Sequence, residues 1–435
     1  MMRSLFSAVT ALRNHQTRMD VIGNNIANVN TIGFKKSRVT FSDTLNQTIR
    51  GASSGDDGGR GGTNPMQVGL GMNVATIEMI PTATSVQGTG KNSDLAINGD
   101  GFFLLNDGGT QYYTRAGNFD LDNKYNFIRT DNGMKVMGYM ADENGDIATT
   151  KSPVEISLEA KQNMKAYATN RVEFYRNLGN TDGKNTPIPK TIEIFDSQGQ
   201  KHNLVVSFKN NGSTTPNQWI VSAVVVSGTT VLPGIIKGTL AFSSNGIFKS
   251  FTVTSASSFS FHNGTDDILT MPTTTYSANY KYPSSTTDKK LYLDLSKMTQ
   301  FASETTADKL SQNGYADGSL KSYAIDSSGT LTGVFSNGKT MKLAQVAVSS
   351  FSNPAGLMKA GSNLYTKSNN CGEESTGTPG SASRGDIQPG ALEMSNVDLS
   401  QEFTDMITTQ RGFQANSRII TVSDSMLEEL VNLKR

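Results

Sequence analysis

Histidine, cysteine and clustered carboxylates carry most protein chemistry, and this chain offers few of them. Its three histidines, His15, His202 and His262, lie far apart in sequence, which reads as surface or cap positions and not as a catalytic or metal set. The single cysteine, Cys371, excludes an intrachain disulfide and sits in no recognisable catalytic motif. DENGDIATTKSP, from Asp142 to Pro153, begins like a calcium loop. However, glycine stands at its fourth position and not its sixth, and Pro153 occupies the place of the bidentate glutamate. A turn is expected there. NGDGFF is no phosphate cradle, because no helix or Lys-Ser/Thr pair follows it. Arg115 in YTRAGNF and Arg411 in TQRGF suit either structural ion pairs or contacts between subunits. The residues therefore call for no catalytic site, cofactor or metal.

What the sequence does offer is two helices that need covering. Leu5, Val9, Leu12, Gln16, Met19, Gly23 and Ile26 recur in steps of four and three on a segment from about Ser4 to Asn28. The helix would run roughly 37 Å at about 1.5 Å per residue. At the other end Leu399, Phe403, Met406, Gln410, Phe413, Ser417, Ile420, Asp424, Leu427 and Val431 keep the same steps, behind Asp398 as a helix cap. Isolated helices are marginal in water. The two termini are expected to pair as a coiled coil and to offer their remaining apolar surface to other copies. An ordinary helical pair closing one domain's core is the plainer alternative.

Between them the texture is β. Glycine supplies 42 of 435 residues, which suits many turns. Lys36 to Ile49 alternates like a strand and runs into GASSGDDGGRGGTNP, which reads as a flexible link. Phe102 to Leu105 and Gln111 to Thr114 flank Asn106-Asp107-Gly108-Gly109, a hairpin signal. TIEIFD, NLVVSF, WIVSAVVV, GTLAF and SFTVTS are spaced by turns such as DSQGQ and SSNGI, as in a sandwich or barrel. The expected fold is mostly β with α-helical termini and nested β domains. Residues 1–35 and 396–435 form the helical domain, and 36–75 a connector and glycine-rich linker. Residues 76–165 with 324–385 form a discontinuous β domain, and 166–323 an inserted one.

The net charge of +1 gives no field for nucleic acid or an anionic membrane. The longest nearly apolar run, Trp219 to Val226, is too short to span a bilayer. No cleavable signal peptide is expected, because Ser4 to Thr17 is amphipathic.

Several stretches together resemble the bacterial flagellar axial proteins, the hook branch in particular. NNIANVNTIGFK (Asn24 to Lys35) is similar to the family's Asn-rich signature, with Asn24, Asn25, Asn28, Gly33 and Phe34 as its connector residues. GALEMSNVDLSQEFTDMITTQRGFQANSRII (Gly390 to Ile420) matches the family's C-terminal block. DLAINGDGFF, YTRAGNF, FSNPAGLMKAGSNLY and DGSLKSYAIDSSGTLTGVFSNGKT resemble its body motifs.

The resemblance implies a structural subunit that self-assembles into a curved, flexible helical tube transmitting torque from rod to filament. Leu5, Val9, Leu12, Met19, Ile26, Leu399, Phe403, Met406, Phe413, Ile420, Leu427 and Val431 would be its packing seam. The first β domain would form the wall and the insertion the outer surface. Rod, hook-cap and hook–filament junction proteins would be partners, and export would use the flagellar type III apparatus to an extracellular site. Some hook proteins cross-link subunits through Cys and Lys, but nothing in the sequence places Cys371 in that role. The alternatives are a distal rod protein and, more distantly, an extracellular carbohydrate-binding β protein.

Overall fold

The first helix, α1 (Met2–Ala27), contains no proline, and its buried line consists of Ala8, Ala11, Asn14, Ile22 and Asn25. The last, α2 (Leu399–Asn432), starts at Asp398, whose carboxylate accepts from the backbone N–H of Ser400 at 2.9 Å and Gln401 at 3.3 Å. The helices pack side by side and run antiparallel: Asn25 meets Glu402, Arg18 meets Asp405, and His15 lies against Gly412. Small residues set the spacing. A Cβ on Gly412 would come within 3.1 Å of His15 Nε2.

The computed structural model describes residues 2–54, 59, 61–184, 186–211, 217–227, 230–231, 235–256, 259–260, 268–269, 275–277 and 291–433. His262 lies outside them. The chain divides into two units, one of residues 1–160, 323–333 and 341–435, the other of 161–322 and 334–340.

In the first unit, α1 leads into a ribbon of four strands. β1 (Ser37–Asp43) pairs antiparallel with β4 (Met72–Met79), and β2 (Asn46–Arg50) pairs with β3 (Met66–Gly69). The chain returns to its starting point, with Ile80 N donating to Lys36 O at 2.9 Å. Within and just beyond the segment read as connector and linker, residues 37–43, 46–50, 66–69 and 72–79 are thus paired strands. Ser53 bridges Thr63, and residues 55–58 and 60 of the glycine-rich stretch lie outside the described residues. Alternating Thr, Val and Ile along Arg38–Ile49 and Met66–Ile77 supply enough β propensity to zip the ribbon.

Beyond it, β5 (Val86–Gly88) pairs with Ala391–Glu393, and β6 (Leu95–Asn98) with Asp386–Pro389. β7 (Phe102–Asp107) and β8 (Thr110–Thr114) form the hairpin that Gly108 and Gly109 turn at positive φ. Lys135–Met140 lies beside β7, and Leu364–Thr366 beside β8. Leu95, Phe103, Leu105, Phe119, Phe127 and Leu343 fill this unit's core.

The second unit is a two-sheet sandwich. Ile188–Phe195, Lys201–Asn210, Gln218–Ser227, Ile236–Phe242 and Phe248–Ala256 make an antiparallel meander. Arg171–Asn177 pairs parallel with Tyr292–Thr299 and antiparallel with Asp308–Gln312. Phe174, Leu293 and Leu295 of the small sheet share one core with Phe208, Trp219 and Val225 of the large one. Inward side chains alternate along the long strands, and this pattern in the sequence marked them as strands. His202 is 4% exposed here, its Nε2 3.1 Å from the buried Asp196 Oδ2. That corrects its expected surface position. Asp196 Oδ1 also accepts from the backbone of Gln198 and Gln200 and so needs a nearby partner for its second oxygen.

Candidate assembly surfaces

The segment joining α1 to the ribbon is fastened by its own amides. Asn25 Oδ1 accepts from Ser37 N at 3.0 Å while its Nδ2 donates to Ser37 O and to Glu402 Oε2. Asn28 Nδ2 donates back to Asn24 O, and Thr31 Oγ1 donates to Asn28 Oδ1. Asparagine suits this turn because one short side chain both donates and accepts. Gly33 takes φ +66°, and a Cβ there would fall 2.7 Å from Ala116 N. Its own N–H donates to Glu393 O at 2.9 Å. Phe34 is buried, with the Lys359 ammonium 5.0 Å over its ring.

Next in the chain, Lys35 is fully buried. Its Nζ donates to Glu393 Oε1 at 2.6 Å and to Thr82 O at 2.7 Å. Arg115 Nη1 donates to the other oxygen of Glu393 at 3.2 Å, and its Nη2 to Gly99 O at 2.7 Å. Burial pushes the Lys35 amine below its ordinary value, Glu393 pulls it back, and Arg115 adds to the depression. Two cations on one carboxylate, all sealed from water, lock the start of the ribbon, the β8 turn and the C-terminal block together. Asn396 adds to the lock: its Oδ1 accepts from Lys36 N at 2.7 Å and its Nδ2 donates to Ile80 O at 2.9 Å. Arg115 is thus an internal ion pair. Arg411 stays exposed, its Nη1 donating to Gln414 Oε1 at 3.5 Å.

Glu393, Glu402 and Asn396 were not singled out from the sequence. Glu393 had a signal in its setting, a lone carboxylate inside the apolar ALEM.

The expected packing rows divide. On α1, Leu5, Val9, Leu12, Met19 and Ile26 lie half-buried, whereas Ala8, Ala11, Asn14, Ile22 and Asn25 are buried. On α2, Met406, Phe413, Ile420 and Leu427 are half-buried and alternate with buried Glu402, Thr409 and Ser423. Leu399, Phe403 and Val431 are exposed, and so are Ile407, Ile419, Val422, Met426, Leu430 and Leu433. Met2 and Phe6 join them on α1. The helix pair thus leaves many of its large apolar residues half-buried or exposed.

Elsewhere, the Asp142 carboxylate closes a turn by accepting from the N–H of Asn144 and Asp146. Cys371 is buried, with Sγ 3.1 Å from Ser368 O. Trp219 has no exposed surface, so it offers no stacking platform for a sugar. Among the described residues no group of three His, Cys, Asp or Glu is placed to hold a metal, and no helix is long and apolar enough to cross a membrane.

Comparison with known proteins places these elements in a family. Residues 5–35 match "Flagella basal body rod protein", 96–168 "Flagellar hook protein FlgE/F/G D1 domain", 179–315 "Flagellar basal body protein FlaE D2 domain" and 388–433 "Flagellar basal body rod FlgEFG protein C-terminal". The chain is 42% identical to flagellar hook protein FlgE of Borreliella burgdorferi, and 38% identical to that of Treponema pallidum, each over 100% of both chains. It is 32% identical to flagellar basal-body rod protein FlgG of Bacillus subtilis, again over 100% of both.

Proposed function

The chain belongs to the flagellar hook protein family, and we propose that it is the repeating subunit of a hook tube that couples motor torque to the filament. It is a structural protein of the flagellum, mostly β, with paired terminal helices. The observation that carries the polymer reading is the row of large apolar side chains on the outer faces of α1 and α2. Fully covering such a side chain stabilises by roughly 1.5–3 kcal/mol, and a single chain leaves eight of them on α2 exposed. Identical neighbours in a helical array cover them through heterologous, non-closing contacts.

In this reading the helices face the tube's channel, the first β unit builds its wall, and the sandwich lies outermost, where weaker polar contacts permit sliding. Rod, cap and junction proteins are the partners at the two ends, and the type III apparatus delivers the subunit. A rod-named relative spans the whole chain as well, so the insertion does not by itself separate hook from rod. The higher identity to hook proteins favours the hook.

The test is Phe403→Glu combined with Val422→Glu in the full chain. Both residues are exposed, so the folded monomer keeps its circular dichroism and thermal midpoint. Sedimentation and electron microscopy should show tubes from the parent and none from the variant. Tubes of normal yield from the variant refute the helices as the assembly seam.

A further inference from the structure

Two segments open and close the long part of the second unit, residues 163–170 and 312–319, and they are zipped to each other. Asn163 and Met164 pair with Ser319 and Gly318, and Thr169 Oγ1 donates to Gln312 Oε1 at 3.2 Å. Midway, Tyr167 and Tyr315 face each other as an isolated antiparallel bridge, exchanging backbone N–H to O bonds of 2.9 and 3.0 Å. Their rings stack, with centroids 5.5 Å apart and planes 21° from parallel. Both residues are half-buried, so each keeps part of its surface open to solvent.

Two phenols held ring on ring by their own backbones are preorganised for coupling, because a fixed neighbour acts as a very high local concentration. Asn170 Nδ2 donates to the Tyr167 hydroxyl oxygen at 3.2 Å, which leaves that phenol's own proton free to depart. The Lys339 ammonium lies 5.6 Å from the centre of the Tyr315 ring. A cation there opposes removal of an electron, so Tyr167 is the ring oxidised first. Burial, and then the neighbouring phenol, hold the Tyr315 hydroxyl above its ordinary value, so it keeps its proton at neutral pH.

We propose that Tyr167 and Tyr315 form an oxidative cross-linking site, at which a peroxide joins the two rings into dityrosine. Each phenol gives up one electron and one proton. The two radicals bond through the ring carbons beside their hydroxyls, and the hydrogens on those carbons shift to the oxygens, restoring both aromatic rings. One hydrogen peroxide takes up the two electrons and two protons and becomes two waters. The product is a covalent staple within a single chain, and it needs no contact with another copy. A link between distant chain positions stabilises by restricting the unfolded chain, so the sandwich should resist unfolding once stapled.

The test uses the full chain, dilute and monomeric, treated with hydrogen peroxide and a small haem peptide as catalyst. In chains of monomer mass, digestion and mass spectrometry should find the peptides of Tyr167 and Tyr315 joined and lighter by two hydrogens. This pair should exceed any other tyrosine pair at least about tenfold. Tyr167→Phe and Tyr315→Phe each keep a ring for the stack and should abolish the product, with circular dichroism unchanged. Trp219 has no exposed surface for the oxidant to reach. The urea midpoint that it reports should rise in the oxidised parent and stay put in oxidised Tyr315→Phe.

Dityrosine at other positions in place of this pair, equal yield in the parent and either variant, or no product under conditions that couple free tyrosine overturns the site. A joined pair with an unmoved midpoint overturns the staple.

Discussion

Lys35 and Glu393, 358 positions apart in the chain, meet at 2.6 Å with neither side chain open to solvent. The pair is closed by Arg115 on the second carboxylate oxygen. Removing one member of such a cluster leaves charge stranded in a dry interior, which costs about 3–5 kcal/mol.

Glu393→Leu should therefore destabilise the first unit by about that amount, while the sandwich keeps its fold. The single tryptophan, Trp219, lies in the sandwich core and reports on that unit alone. Hydrogen exchange along β7 and β8 reports on the other. Lys35→Met added to Glu393→Leu should recover part of the loss. Equal protection of β7 and β8 in parent and Glu393→Leu would show that the cluster holds nothing together.

Two glycines should respond in opposite directions. Gly33→Val puts a branched side chain at φ +66° against the backbone of residues 115 and 116, costing more than the ~1–3 kcal/mol of backbone strain alone. Assembly should be lost. Gly23→Ala meets nothing within 4 Å on the exposed side of α1 and should stabilise the helix by about 0.5–1 kcal/mol. Thermal melts followed at 222 nm, with polymer yield, distinguish the two.

Tyr365 supplies an alkaline limit. Burial raises its phenol to about 12 from an ordinary value of 10.0. The folded state thus holds a proton that the unfolded chain releases, so this stability is intact below pH 10 and declines as pH rises towards 12. Tyr365→Phe should remove that part of the decline, worth at most about 2–3 kcal/mol. Urea midpoints of both proteins at pH 8, 10 and 11 measure it. Parallel curves would mean that the phenol is not desolvated.

The sandwich should be separable from assembly but not from shape. Its entering and leaving segments are adjacent, with Leu320 N donating to Gln162 O at 2.7 Å. Residues 163–319 can therefore be replaced by a short Gly/Ser bridge. The expected product in electron microscopy is a straighter, stiffer tube. A tube of parental curvature would remove the sandwich from the account of bending.

Much of this architecture was legible before any coordinates. The turn at Gly108-Gly109 and the alternation in Asn203–Phe208 and Trp219–Val226 are local signals, and local signals survive folding. The helix seam was less legible. Periodicity of large apolar residues pointed to Leu5, Val9 and Leu12, yet the single chain buries Ala8, Ala11 and Asn14 one step away, Asn14 donating to Met72 O of the ribbon. Small and polar residues carry no hydrophobic signature, so a seam built from them is silent in the sequence. The pairing of the ribbon was not legible because it depends on residues some 40 positions apart, such as Arg38 opposite Glu78. Arg115 was legible as an ion-pair or subunit-contact residue, but its partners Lys35 and Glu393 were hidden for a similar reason: charged residues read as surface until a distant partner accounts for them.

The distance along the chain between Lys35 and Glu393 also sets an order in time. A polypeptide that emerges amino end first presents its lysine long before the matching carboxylate follows. Until then, desolvating that ammonium is uphill and the early segment has reason to stay open. Closure waits on the last tenth of the molecule, so the chain carries its own timer against setting too soon.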